Sequence, residues 1–132
     1  MMIAMQNGYA DMLMYYDSRL QASAYGGFFA PLTYEPVATY YAFVAFGKLF
    51  ALGTQTETTV EGIDKGMLTL AATNGKKNAM MIVNRTGATQ ELSLDGVDLE
   101  NARFYRIDKT HLMSMEFGAS KIKEDNILFI EW

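Results

Sequence analysis

Tyr15, Tyr16, Asp17 and Arg19 are the residues of this chain whose types and spacing could do chemistry. Asp17 and Arg19 stand two positions apart and could hydrogen-bond a polar substrate. The same two groups could instead form a local ion pair that orients a loop. Around them, Tyr15, Tyr16, Tyr25, Phe28 and Phe29 could offer flat apolar rings to the C–H face of a sugar, or could pack into a core. Gly26-Gly27 lies within this stretch, where a glycine pair permits a moving loop or simply a positive φ.

Other chemistry is sparse. Glycoside hydrolysis needs two carboxyl groups held across one site. The first half of the chain offers Asp11, Asp17 and Glu35, and the spacing puts Asp11 and Glu35 far from Asp17. Carboxylates of the second half fall at turns and outward positions and read as a solvated surface. The chain has no cysteine, which excludes disulfides and thiolate chemistry. It has one histidine, His111, so a zinc site of the usual His/Cys kind is excluded. No nucleophile-elbow pattern accompanies His111, which reads as a turn or surface residue. Asn84-Arg85-Thr86 matches the glycosylation sequon and is read as a turn. Gly75-Lys76-Lys77 is a charged hairpin tip without the frame of a phosphate loop. No catalytic residue, metal or cofactor is expected.

The elements that must position these residues follow from pattern. With 132 residues, half of them apolar, the chain fits one domain, or one domain plus an added layer, with a real core. A net charge of −4 leaves no basic stripe to neutralise phosphates, so nucleic acid is not an expected partner. The longest apolar run, Val37 to Leu52, is too short for a bilayer, and Met1 to Gly8 lacks the features of a secretion signal. The expectation is a cytoplasmic protein without membrane contact.

Composition shifts near Gly53, which divides the chain into residues 1–53 and 54–132. Met1 to Gly8 reads as the end of a helix without a capped beginning. Asp11 to Asp17 holds a continuous apolar run, suited to a strand covered on both faces. Ser18 to Glu35 reads as a loop. Pro36 then opens a helix that is apolar all round and ends at Gly53. From Thr54 onward, short β-rich runs are separated by turn residues, with Asn74-Gly75 as the strongest hairpin signal. Short strands at such spacing predict an antiparallel β-sandwich, hence a mainly β fold preceded by a helical and loop segment. Strand alternation nominates Leu68, Leu70, Met81, Val83, Leu92, Leu94, Phe104, Tyr105, Ile107, Leu128 and Ile130 as one core.

The stretches DMLMYYDSR, YGGFFAPLTYEPVATYYAFVAFGKLFALGT and LAATNGKKNAMMIVNRTG, in that order, resemble the carboxyl-terminal end of bacterial retaining glycoside hydrolases with a (β/α)8 barrel and an appended β-sandwich. β-Xylosidase-like enzymes are the nearest in pattern. The resemblance implies that residues 1–53 are left over from a barrel end and that 54–132 are the sandwich. It places Tyr15, Tyr16, Asp17 and Arg19 at the barrel mouth, and Phe28, with Gly26 and Gly27, in the loop that follows. These would touch substrate. The family's two catalytic Glu residues belong to upstream barrel strands, and no residue here matches them.

Three functions fit this reading: a non-catalytic accessory part of a glycoside hydrolase, a stand-alone carbohydrate-binding sandwich, or a subunit that complements a separately encoded barrel. The apolar helix also predicts association. Its Tyr40, Phe43, Val44, Phe46, Leu49 and Phe50 need cover. A homodimer built from residues 1–52 would supply it, as would a barrel fragment, or the sandwich itself if the helix folds back.

Overall fold

The computed structural model of the chain describes residues 27–63 and 65–132. One helix and eight strands follow in order: α1 (Ala38–Leu52), β1 (Thr54–Thr56), β2 (Met67–Thr73), β3 (Asn78–Asn84), β4 (Gln90–Glu91), β5 (Arg103–Ile107), β6 (Leu112–Glu116), β7 (Lys121–Ile122) and β8 (Ile127–Glu131). Six strands form one sheet in the order β1-β2-β3-β8-β5-β6, with every pairing antiparallel. β4 and β7 pair separately as a small second sheet. The fold is mainly β and antiparallel, as the strand spacing predicts.

The hairpin at Asn74 forms for a local reason. Asn74 Oδ1 accepts hydrogen bonds from the Lys76 and Lys77 N–H groups at 3.0 and 2.9 Å. Gly75 takes φ +81°, a conformation open to glycine and costly to most other residues. The register then pairs Leu70 with Met81, Met81 with Phe129, and Phe129 with Tyr105. Facing residues share a side of the sheet, so this row turns together toward one layer.

That layer is α1. The helix begins at Ala38, with Val37 as an extended N-cap, so Pro36 stands just outside it rather than in its first turn. Gly53 ends it at φ +86°, donating its N–H to Phe50 O. Ala38, Tyr41, Ala42, Ala45, Phe46, Leu49 and Leu52 recur at helical spacing and lie on the sheet. Ala45, Phe46 and Leu49 are fully buried there with Leu70, Ala72, Ala79, Met81, Ile107 and Phe129. Each large apolar side chain buried this way contributes about 1.5–3 kcal/mol. For this inner stripe the helix does fold back on the sheet. Lys48 Nζ reaches Glu131 at 2.8 Å and lies 5.7 Å from the ring centres of Tyr105 and Phe129, which pins the helix across the sheet end.

The opposite face carries a second core. Ile82, Phe104, Leu128 and Ile130 of the large sheet meet Ile122 of β7, and Leu92, Leu94, Val97, Ala102 and Trp132 pack around them. The single core expected from alternation is therefore two cores, one on each face. Leu70, Met81 and Ile107 belong to the helix side, and Phe104, Leu128 and Ile130 to the other. This explains the unbroken apolar runs Met80–Val83 and Ile127–Ile130: central strands covered on both sides need no polar alternation. Two expected strands are shorter than their patterns. Of the Thr-rich run only Thr54–Thr56 is strand, and of the run Thr89 to Leu94 only Gln90–Glu91.

Candidate functional site

Of the residues expected at a substrate site, Phe28 lies among the described residues. Tyr15, Tyr16, Asp17 and Arg19 lie outside them, as do the helix end, the strand Asp11 to Asp17 and Gly26. Residues 28–37 fold as a narrow loop against the start of α1. Phe29 bridges Pro36, Val37 N–H donates to Phe28 O at 2.9 Å, and Ala30 N–H donates to Glu35 O at 2.8 Å. The Phe28 ring centre is 5.0 Å from Phe43 and 6.2 Å from Tyr40, and Phe29 is 5.7 Å from Tyr40. These are packing distances for aromatic pairs. Phe28 is thus part of an aromatic cluster on the helix, and the loop's exposed large apolar side chains are Leu32 and Tyr34. Tyr34 holds φ +60°, an uncommon conformation for a residue with a side chain. Periodicity carries no signal for it.

His111 closes a turn, as expected. Its Nδ1 lies 2.9 and 3.0 Å from the two carboxylate oxygens of Asp108. Asp108 Oδ1 also accepts from the Thr110 and His111 N–H groups, each at 2.8 Å, and from Thr110 Oγ1. Asn126 Nδ2 donates to Oδ2 at 3.0 Å. Partial burial alone would raise the Asp108 carboxyl. The hydrogen bonds from Thr110 and His111 outweigh it and hold the group well below the usual carboxylate range.

A depressed carboxyl stabilises the fold fully above its unfolded pKa, about 4. That contribution fades as pH falls below this value toward the lower folded pKa. Asp108→Asn is expected to cost about 1–3 kcal/mol at neutral pH. It should also flatten the decline in stability below about pH 4. Urea unfolding at several pH values checks both effects.

The sequon asparagine is a structural residue. Asn84 is 0% exposed, and each of its amide hydrogens is taken: Nδ2 donates to Ala88 O at 2.8 Å and to Ile122 O at 2.9 Å. Its Oδ1 accepts from Thr86 N–H and Thr86 Oγ1. The sequence reading of a turn is correct for residues 85–88 and misses that Asn84 anchors it.

Four other carboxylates are tied to cations: Glu131 to Lys48, Glu116 to Arg106, Asp125 to Arg85 and Glu91 to Lys121. Among the described residues, no group of His, Asp and Glu side chains could hold a metal ion. Within the same residues, no helix is long and apolar enough to cross a membrane.

No known protein-family profile and no curated protein sequence matches the chain. Solved structures do. A GH30 endoxylanase of Clostridium papyrosolvens superposes with a TM-score of 0.60 at 14% identity, covering 78% of this chain and 29% of that one. A glycoside hydrolase family 30 subfamily 8 xylanase of Clostridium acetobutylicum superposes with a TM-score of 0.62 at 12% identity, covering 85% and 32%. The chain spans about a third of the length of these solved chains and shares the fold of that part.

Proposed function

We propose that the chain is the carboxyl-terminal, non-catalytic part of a glycoside hydrolase: an accessory β-sandwich with the last helix of a (β/α)8 barrel. The observation that carries this reading is the match of helix and sheets together to about a third of two xylanase chains. Consistent with it, the carboxylates of the described residues that are tied to Lys, Arg or His serve turns and strand ends. In this role the sandwich supports the barrel, while bond cleavage belongs to carboxylates on other barrel strands. A β-xylosidase-like activity of the whole enzyme is part of the proposal.

The outer stripe of α1 is the surface we assign to the barrel. Its inner stripe is taken by the sheet, whereas Tyr40, Phe43 and Val44 are half-buried and Phe50 is 49% exposed. In the chain alone, the same stripe would join a second copy through residues 1–52.

The reading has a direct test. The reading frame upstream should encode seven barrel strands with two suitable Glu residues, and that segment should co-purify with this chain. Phe50→Glu should weaken the association at least about tenfold, as burial of an unpaired charge at an interface costs more than 1.4 kcal/mol. Turnover of an aryl β-xyloside by the chain alone, clearly above buffer, would sink the proposal. An upstream frame without a barrel would do the same.

A further inference from the structure

We infer that the segments flanking the small sheet, after β4 and before β7, carry a binding site for a neutral pyranose chain, centred on Phe117. The side chain of Phe117 is completely exposed, at 105% of its reference area, in the turn between β6 and β7. An aromatic ring held wholly in water gains nothing for the fold, and the turn gives it no neighbour to pack on. It stands beside a groove of about 630 Å³. Leu99, 57% exposed, also lines the groove, and Phe104 and Leu94 do so from the second core. That volume lies within the range of small-ligand sites.

The polar groups of the groove fit hydroxyls. Ser93, Ser120 and Asp95 line it together with the two aromatic rings. A pyranose presents C–H bonds on its faces and hydroxyls around its rim. The ring of Phe117 and the aliphatic side chain of Leu99 would take the faces, and the two serine hydroxyls and the Asp95 carboxylate would take the rim. Asp95 is the only charged residue lining the groove. It favours donors such as hydroxyls and repels a carboxylate on the ligand. The site is therefore specific for neutral sugars over uronate-bearing ones. An interface with a second copy would also cover Phe117, but it would not call for the hydroxyl and carboxylate groups at the rim.

The inference stands on the groove itself. The accessory-domain reading only guides the choice of probe, and co-purification with a barrel tests that reading separately. Xylohexaose is titrated into the full chain, followed by amide NMR and calorimetry. One open platform gives an affinity on the order of 1 mM. Shifts are expected at Ser93, Asp95, Phe117 and Ser120. Phe117→Ala should weaken binding about tenfold or more and leave the thermal midpoint unchanged, since its ring is fully exposed. Tyr34→Ala, which removes another exposed ring outside the groove, should leave binding intact. A xylo-oligosaccharide carrying glucuronate should bind more weakly than the neutral one, and Asp95→Asn should narrow that gap. Absence of shifts at saturating sugar, or binding that survives Phe117→Ala, would overturn the site. So would a concentration-dependent dimer that Phe117→Ala disperses while sugar has no effect.

Discussion

Asn84→Ala is expected to lower the unfolding free energy by about 3–5 kcal/mol, among the largest effects a single polar substitution can have. The amide of Asn84 joins three segments. It lies at the end of β3, and through Nδ2 it holds the Ala88 carbonyl of the following turn and the Ile122 carbonyl of β7. Through Oδ1 it holds the N–H and hydroxyl of Thr86, and Thr86 Oγ1 in turn accepts from Gln90 Nε2 at 2.8 Å. Removing the amide takes the donor from the Ile122 carbonyl in a buried site, and takes partners from the Ala88 carbonyl and the Thr86 N–H in a partly buried one. Each orphaned group costs about 1–3 kcal/mol, partly relieved by local adjustment. Asn84→Asp separates shape from hydrogen bonding. Its carboxylate would face two carbonyl oxygens, so it should be at least as damaging as Ala at neutral pH and recover partly in acid, where the protonated form donates one bond. Chemical denaturation of both variants measures the effect. A cost below about 1 kcal/mol for Asn84→Ala would mean that the network is not what holds the small sheet to the large one. Mass spectrometry adds a second check. Correctly folded protein recovered from a host that modifies such sites should carry no glycan at Asn84, because a glycosylated amide cannot keep both of its hydrogen bonds in that buried position.

Much of the fold was legible from residues with strong local physics. Asn74-Gly75 marked its hairpin because the side chain and the left-handed glycine build the turn between them. Gly53 marked the helix end for the same conformational reason. The uniform apolarity of α1 signalled cover on more than one side, and the sheet takes one of them. What alternation could not supply was the number of layers. Val83 and Ile82 are equally apolar and alternate to opposite faces, and only the packing of α1 on one face and of β7 on the other gives each face a core. β7, one exposed lysine and one buried isoleucine, has no periodicity to read. It exists as a strand because Gln90 and Glu91 come to lie beside it, a long-range event.

The sites were less legible. Phe28 carried the right chemistry for sugar stacking, and its half-buried ring lies against Phe43 and Tyr40. Phe117 attracted no notice as one apolar residue in the alternating run Leu112 to Phe117, and it is the fully exposed one. Exposure follows from tertiary position: β6 is an edge strand, and the chain leaves the sheet just beyond Glu116. Asn84 was read only as part of a turn because a sequon is a statement about three residues. Its burial depends on β7 and on the Asp125–Asn126 turn, some forty positions later.

The same corner makes Gly66→Ala the other severe substitution, with an expected cost of about 3–5 kcal/mol. Gly66 precedes β2, where its carbonyl accepts the Arg85 N–H at 2.6 Å just past the end of β3. It adopts φ +88°, and a Cβ there would come within 2.5 Å of the Arg85 carbonyl oxygen and 2.9 Å of Thr86 Cα. Both contacts are with backbone, which cannot swing aside as a side-chain tip can. Gly75→Ala is the matched control. Its φ is +81°, but nothing lies within 4 Å of the added carbon. That variant pays only the conformational cost of a left-handed residue, about 1–2 kcal/mol. The difference between the two variants therefore reads the clash itself. To relieve it, Arg85 and Thr86 must move, and Thr86 is a partner of Asn84. Gly66→Ala and Asn84→Ala should then damage one structure rather than two, and the double variant should lose less than the sum of the singles by more than about 0.5 kcal/mol. Urea midpoints and slopes for the two singles, the double and the Gly75 control decide this. Equal costs for Gly66→Ala and Gly75→Ala would show that the backbone at Arg85 yields freely. Strict additivity in the double variant would show that Gly66 and Asn84 stabilise separate parts of the sheet.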